Sequence, residues 1–142
     1  MLTTGKFLEL HQRKTWSVAP NDSVRVALEL MASKNIGAVL VMEHDKLVGI
    51  FSERDYARKV ILHGKNSEDT HVRDIMTAQV ITVDANQKIE DCMQVMTDKH
   101  IRHLPVMKNG QLIGVISIGD VVREMIAEQK HLIEQLHSYI AG

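Results

Sequence analysis

Gly49-Ile-Phe-Ser-Glu-Arg-Asp55 returns 65 residues later as Gly114-Val-Ile-Ser-Ile-Gly-Asp120. Each stretch reads as an apolar strand that ends on a serine and opens a helix, with an aspartate one turn in. Working outward at the same offset, residues 15–59 align on residues 80–124 without a gap. Val18 falls on Val83, Asn21 on Asn86, Met31 on Met96, Lys34 on Lys99 and Ile36 on Ile101. Val41, Met42, Leu47, Gly49, Ser52, Asp55 and Arg58 also meet identical residues. These are 12 identities in 45 positions, where unrelated sequence gives about three. The chain is an internal duplication, and its apolar positions correspond even where identity fails.

Both copies predict the same order of elements. A short β-rich run comes first, Thr15-Trp-Ser-Val18 and Val80-Ile-Thr-Val83. Asn21 and Asn86 then stand where helix N-caps are expected. Val24, Ala27, Leu28 and Met31 trace an i, i+3, i+4, i+7 stripe, matched by Ile89, Cys92, Met93 and Met96. Cys92 is thereby expected in the core, with nothing to suggest a nucleophile. Strands over residues 38–42 and 47–51 flank the polar turn Glu43-His-Asp-Lys46, and strands over 104–107 and 112–116 flank Lys108-Asn-Gly-Gln111. The Asn109-Gly110 pair signals a tight hairpin. The near-continuous apolar runs suggest strands covered on both faces. A helix starts at Ser52 and again at Ser117. The unit is β-α-β-β-α, twice, an α+β fold. The final helix is expected over about residues 118–140, with a roughly heptad stripe of Val122, Met125, Gln129, Leu132, Leu136 and Ile140. Its outer half packs either on its own domain or on a partner subunit, and the stripe favours the partner.

Composition narrows the function classes. The 142 residues are 44% hydrophobic and carry a formal net charge of −1, 17 Lys and Arg against 18 Asp and Glu. That balance argues against a nucleic-acid surface or a polybasic membrane patch. One cysteine precludes an intrachain disulfide and suits a reducing compartment. Neither a secretory leader nor a run of about 18 apolar residues is visible, so a cytoplasmic location is expected. There is no Gly-x-x-x-x-Gly-Lys-[Ser/Thr] loop and no Gly-x-Gly-x-x-Gly. His100-Ile-Arg-His103 lacks the further ligands of a zinc site, so no metal is expected. Asp55 and Asp120 belong to different copies and cannot form an acid/base pair. No catalytic set clusters, and no enzyme activity is expected.

The two Gly-to-Asp stretches resemble the strand-to-helix signature of CBS motifs. Val72-Arg-Asp-Ile-Met-Thr77 resembles the entry to a second motif, and Ile101-Arg-His-Leu-Pro-Val106 resembles its middle strand. The likeness spans roughly residues 10–125 and is to small bacterial stand-alone proteins with two such motifs, one Bateman module. It implies motif one at 10–62, a linker at 63–73, motif two at 74–125 and a C-terminal helix extension at 126–142. It also implies motifs packed sheet to sheet with pseudo-twofold symmetry, two clefts for adenosine ligands, and assembly as a homodimer.

The Ser-x-x-Asp pair fits such a ligand. A helix start offers unpaired N–H groups and a positive dipole end to a phosphate, Ser52 or Ser117 adds a hydroxyl, and Asp55 or Asp120 can accept both ribose hydroxyls. The same pattern is also a capping box; its symmetric duplication favours binding. The resemblance implies that Arg102 and His103 face phosphates in the cleft of Asp120, where an arginine fork suits them. Copy one has Gly37 and Ala38 there, and Arg54 is the candidate replacement charge, so the clefts are expected to differ. Thr15, Trp16, Ile36, Gly37 and Ala38 are candidates for the adenine slot used with Asp120, although Trp16 reads equally well as core. Thr77, Ile81 and Ile101 are the counterparts for Asp55, and Pro105 on the middle strand joins the set. The expected ligand is AMP, with NAD(H), ATP and ADP as alternatives. Two functions follow: a non-catalytic regulatory nucleotide sensor acting on a protein target, or a ligand-free scaffold for dimerisation and docking.

Overall fold

The computed structural model describes residues 2–141; Gly142, the last residue of the expected extension, lies outside the described residues, as does Met1. In chain order the elements are α1 (Thr4–His11), β1 (Ser17–Val18), α2 (Val24–Lys34), β2 (Ala38–Glu43), β3 (Lys46–Ser52), α3 (Glu53–Asp55) continued by a π-helical segment (Tyr56–Ile61), α4 (Val72–Ile75), β4 (Val83–Asp84), α5 (Ile89–Lys99), β5 (His103–Lys108), β6 (Gln111–Ser117) and α6 (Ile118–Ala141). They form two compact units. One is Lys14–Ile81; the other joins the residues up to Arg13 with those from Thr82 onward.

Each unit is a three-stranded sheet with helices, ordered β1-β2-β3 or β4-β5-β6. The first pair is parallel and the second antiparallel in both. Both hairpins close through two residues at positive φ, His44 and Asp45 in one, Asn109 and Gly110 in the other. That is the turn whose twist matches its strands. The helix stripes fill equivalent core positions: Val24, Ala27 and Met31 under one sheet, Ile89, Cys92 and Met96 under the other, all buried. Burial, followed by the neighbouring Asp91 charge, pushes the Cys92 thiol up to about 11, so it is an inert apolar filler at neutral pH. Both helices stop at a left-handed residue, Asn35 and His100, 65 positions apart.

Three local expectations need correction. Asn21 and Asn86 are not N-caps. The helices begin later, at Val24 under a Ser23 cap that accepts from the Val26 N–H, and at Ile89 after Lys88, whose N–H donates to Asp91. Asn21 instead accepts from Arg73, and the Asn86 N–H donates to Asp84. The first strands also start later than the apolar runs, at Ser17 and Val83; β1 ends at Val18, where the Asp22 carboxylate takes the next N–H, that of Ala19. Residues 63–73 do more than connect: Val72 is fully buried at the start of α4.

The spatial units are not the sequence repeats. The segment ahead of repeat two packs on repeat one, with Val72 and Ile75 in its core and Thr77 bridging to Ile50 on the open edge of β3. Likewise α1, ahead of repeat one, packs on β6 through buried Phe7 and Leu8. This explains both signature glycines. A side chain at Gly49 would collide with the Met76 thioether, and one at Gly114 would stand 2.6 Å from Leu8. Among the described residues no helix is long and apolar enough to cross a membrane.

Candidate functional site

In each unit the last strand ends on serine and the helix begins at the next residue. Ser52 pairs in register with Ala38, and Ser117 with His103. The first helical N–H then donates back across the sheet end, Glu53 to the Gly37 carbonyl at 3.0 Å and Ile118 to the Arg102 carbonyl at 2.8 Å. Four of the expected residues are thereby gathered at each turn: Gly37, Ala38, Ser52 and Asp55 in one unit, Arg102, His103, Ser117 and Asp120 in the other.

Both turns close by reciprocal capping. The Ser52 N–H donates to Asp55 Oδ2 at 2.9 Å, and the Asp55 N–H donates to Ser52 Oγ at 3.1 Å. The corresponding distances for Ser117 and Asp120 are 2.8 and 3.2 Å. One oxygen of each carboxylate is therefore committed to holding the helix start.

The other oxygen, Oδ1, distinguishes the copies. Lys59 Nζ lies 3.2 Å from Oδ1 of Asp55 and also donates to the Ile75 carbonyl at 3.1 Å. Oδ1 of Asp120 meets two guanidinium groups, Arg13 at 2.6 Å and Arg123 at 2.9 Å. The Asp120 side chain is 1% exposed, that of Asp55 14%. Burial pushes the Asp120 carboxyl upward; the Ser117 N–H and the Arg13 guanidinium outweigh it and hold the group below the usual aspartate range. Asp120 is therefore an anion at neutral pH.

The remaining predicted residues are distributed as follows. Thr15 and Trp16 precede β1 rather than lying on it; Trp16 is half-buried, accepts from the Leu40 N–H, and has Lys34 Nζ 4.2 Å above its ring. Ile36 is half-buried after the α2 cap. Thr77 is exposed and Ile81 half-buried, both in the unit of Asp55. Ile101 is half-buried and Pro105 buried in the unit of Asp120. Arg54 is exposed on α3. Sequence reasoning missed Lys59, Arg13 and Arg123 as partners of the two aspartates. Arg123 was within reach of sequence, one turn beyond Asp120 on the same helix; for Arg13 nothing local marks the contact.

A CBS-domain profile matches residues 9–62 and 72–127. The chain belongs to the CBS-domain family. It is 44% identical over 127 residues to the CBS domain-containing protein CBSX3, mitochondrial, of Arabidopsis thaliana, a match covering 86% of this chain and 62% of that relative. The chain thus spans about three fifths of that protein's length. The structure of a putative signal-transduction protein with CBS domains from Burkholderia ambifaria superposes with a TM-score of 0.85 at 47% identity, covering 89% of this chain and 96% of that one. The CBS domain pair of MJ0100, in complex with 5′-methylthioadenosine and S-adenosyl-L-methionine, shares the fold at 23% identity and a TM-score of 0.79, covering 90% of this chain and 98% of that one.

Proposed function

We propose that this chain is a non-catalytic regulatory module that binds an adenine nucleotide at its two Ser-x-x-Asp turns, AMP first, with NAD(H), ATP and ADP as alternatives. The carrying observation is the duplicated turn in which Oδ2 caps the helix while Oδ1 meets cationic side chains that are each at least 41% exposed. A ribose diol replaces such a cation with two neutral donors. The positive end of the helix dipole and the Ser52 or Ser117 hydroxyl then serve the phosphate side. Arg102 and His103 add donors for phosphate in copy two, and Arg54 in copy one. Trp16, Thr15, Ile36 and Ala38, and Thr77, Ile81, Ile101 and Pro105, supply apolar surface for the base.

Supporting this reading, MJ0100 carries two compounds whose shared part is adenosine, the moiety these turns are suited to read. In the proposed mechanism, ligand binding trades ion pairs for ligand contacts and so shifts the population of states that a protein target recognises. Assembly is proposed as a homodimer through the outer half of α6, where Leu132, Ile133, Leu136 and Ile140 are each more than half exposed. A cytoplasmic location goes with the reading.

One observation favours a ligand-free scaffold: both oxygens of Asp120 are already engaged. A thermal-shift panel of AMP, ADP, ATP, NAD(H) and S-adenosylmethionine separates the two, since a ligand that binds only the folded state raises Tm. A rise with at least one adenine nucleotide is expected. No shift with any of them at millimolar concentration leaves the scaffold reading.

A further inference from the structure

Asp120 is buried, its Oδ2 takes the Ser117 N–H, and its Oδ1 takes Arg13 and Arg123. A carboxylate oxygen has two lone pairs, so these guanidinium groups fill Oδ1. A ribose hydroxyl can enter only when one of them leaves. Arg123 sits one turn along on α6 and stays within reach of the carboxylate wherever the helix goes. Arg13 lies beyond the left-handed residue Gln12 that ends α1, outside any regular element, with its side chain 41% exposed and its guanidinium 5.4 Å from the Phe7 ring centre. It is the partner that can leave, and Arg123 keeps the buried anion paired when it does. Arg13 is also the last residue before the chain enters the unit Lys14–Ile81. Copy one has no equivalent: the residue 65 positions after Arg13 is Ala78.

We propose that Arg13 is an internal competitor of the ligand, a latch that occupies the diol-binding oxygen of Asp120 in the free protein and is displaced when a nucleoside binds. The proposal rests on the reading that Asp120 takes the ribose. It makes Arg13 a determinant of affinity in copy two alone and turns binding there into release of the chain segment behind α1.

The test is calorimetric titration with adenosine, which lacks a phosphate to reward a freed arginine, and with AMP. An Asp55→Asn background restricts the comparison to copy two. Arg13→Gln is expected to tighten adenosine about tenfold or more, the strength of one charge-assisted hydrogen bond no longer broken on binding. Arg13→Lys, which keeps the charge without the fork, falls between. Unchanged or weaker adenosine affinity in Arg13→Gln overturns the latch while nucleotide binding stands. Absence of adenosine and AMP binding in every variant, Arg13→Gln included, overturns both. Should Arg13→Gln not fold, the Arg13 Nη–H resonances of the unaltered protein decide: Nη1 is held against Asp120 in the free state and released by saturating adenosine, and resonances unmoved by saturation refute the displacement.

Discussion

Replacing Asp120 by alanine removes a buried anion on which one helix start and one distant arginine depend. The Ser117 Oγ half of the reciprocal cap is kept, since the residue-120 N–H still donates to it. Leaving the Ser117 N–H without its acceptor amounts to about 1–3 kcal/mol, because the carboxylate that satisfies it is buried. Arg13 and Arg123 are 41% and 71% exposed and rehydrate, so losing their pairing adds up to about 1 kcal/mol. The sum is about 1–4 kcal/mol for Asp120→Ala. The same change at Asp55, more exposed and paired with one lysine, amounts to about 1–2 kcal/mol. Urea unfolding of the nucleotide-free protein, followed by circular dichroism, reads both values. Asp120→Ala is expected to lower the midpoint further than Asp55→Ala. An equal loss, or the reverse order, refutes the assignment of Asp120 as the buried, doubly paired member of the two.

Other expectations follow from the same contacts. The Asp120 carboxyl titrates below its unfolded value, so its stabilisation is present above about pH 4 and is lost as pH falls through the folded-state value; the stability gap between wild type and Asp120→Asn therefore closes on acidification, and a gap constant from pH 7 to pH 3 contradicts this. Gly114→Ala places a methyl 2.6 Å from Leu8 and is expected to destabilise by about 1–3 kcal/mol. Combined with Leu8→Ala, the loss is smaller than the sum of the two in denaturant titrations; strict additivity denies the contact. Leu132→Glu with Leu136→Glu on α6 is expected to convert a dimer to a monomer in light scattering, and a mass unchanged by the pair removes α6 from the interface.

The two-copy architecture was legible because it is written in local periodicity. The apolar stripes of α2 and α5, the Asn109-Gly110 turn and the serine that ends each last strand are all short-range signals. The placement of α1 was not, since Leu8 meets Gly114 and Arg13 meets Asp120 across more than 100 residues. Only the glycine repeated inside two apolar strands hinted at a close neighbour. The helix starts were misplaced because Asn21 and Asn86 are good capping residues sitting in the turn just before the true ends. Capping and ligand binding had looked like rival roles for Ser-x-x-Asp. The geometry gives the cap to Oδ2, and the proposed ligand role falls to Oδ1, a distinction that residue types alone do not carry.

Calorimetric titration of an adenine nucleotide, AMP first, into the unaltered chain and into the Asp55→Asn, Asp120→Asn double variant tests the central claim most directly. The account predicts saturable binding to the unaltered chain and its loss in a double variant that retains the native circular dichroism spectrum. Equal binding by both proteins, or none by the unaltered chain with any nucleotide of the panel, contradicts it.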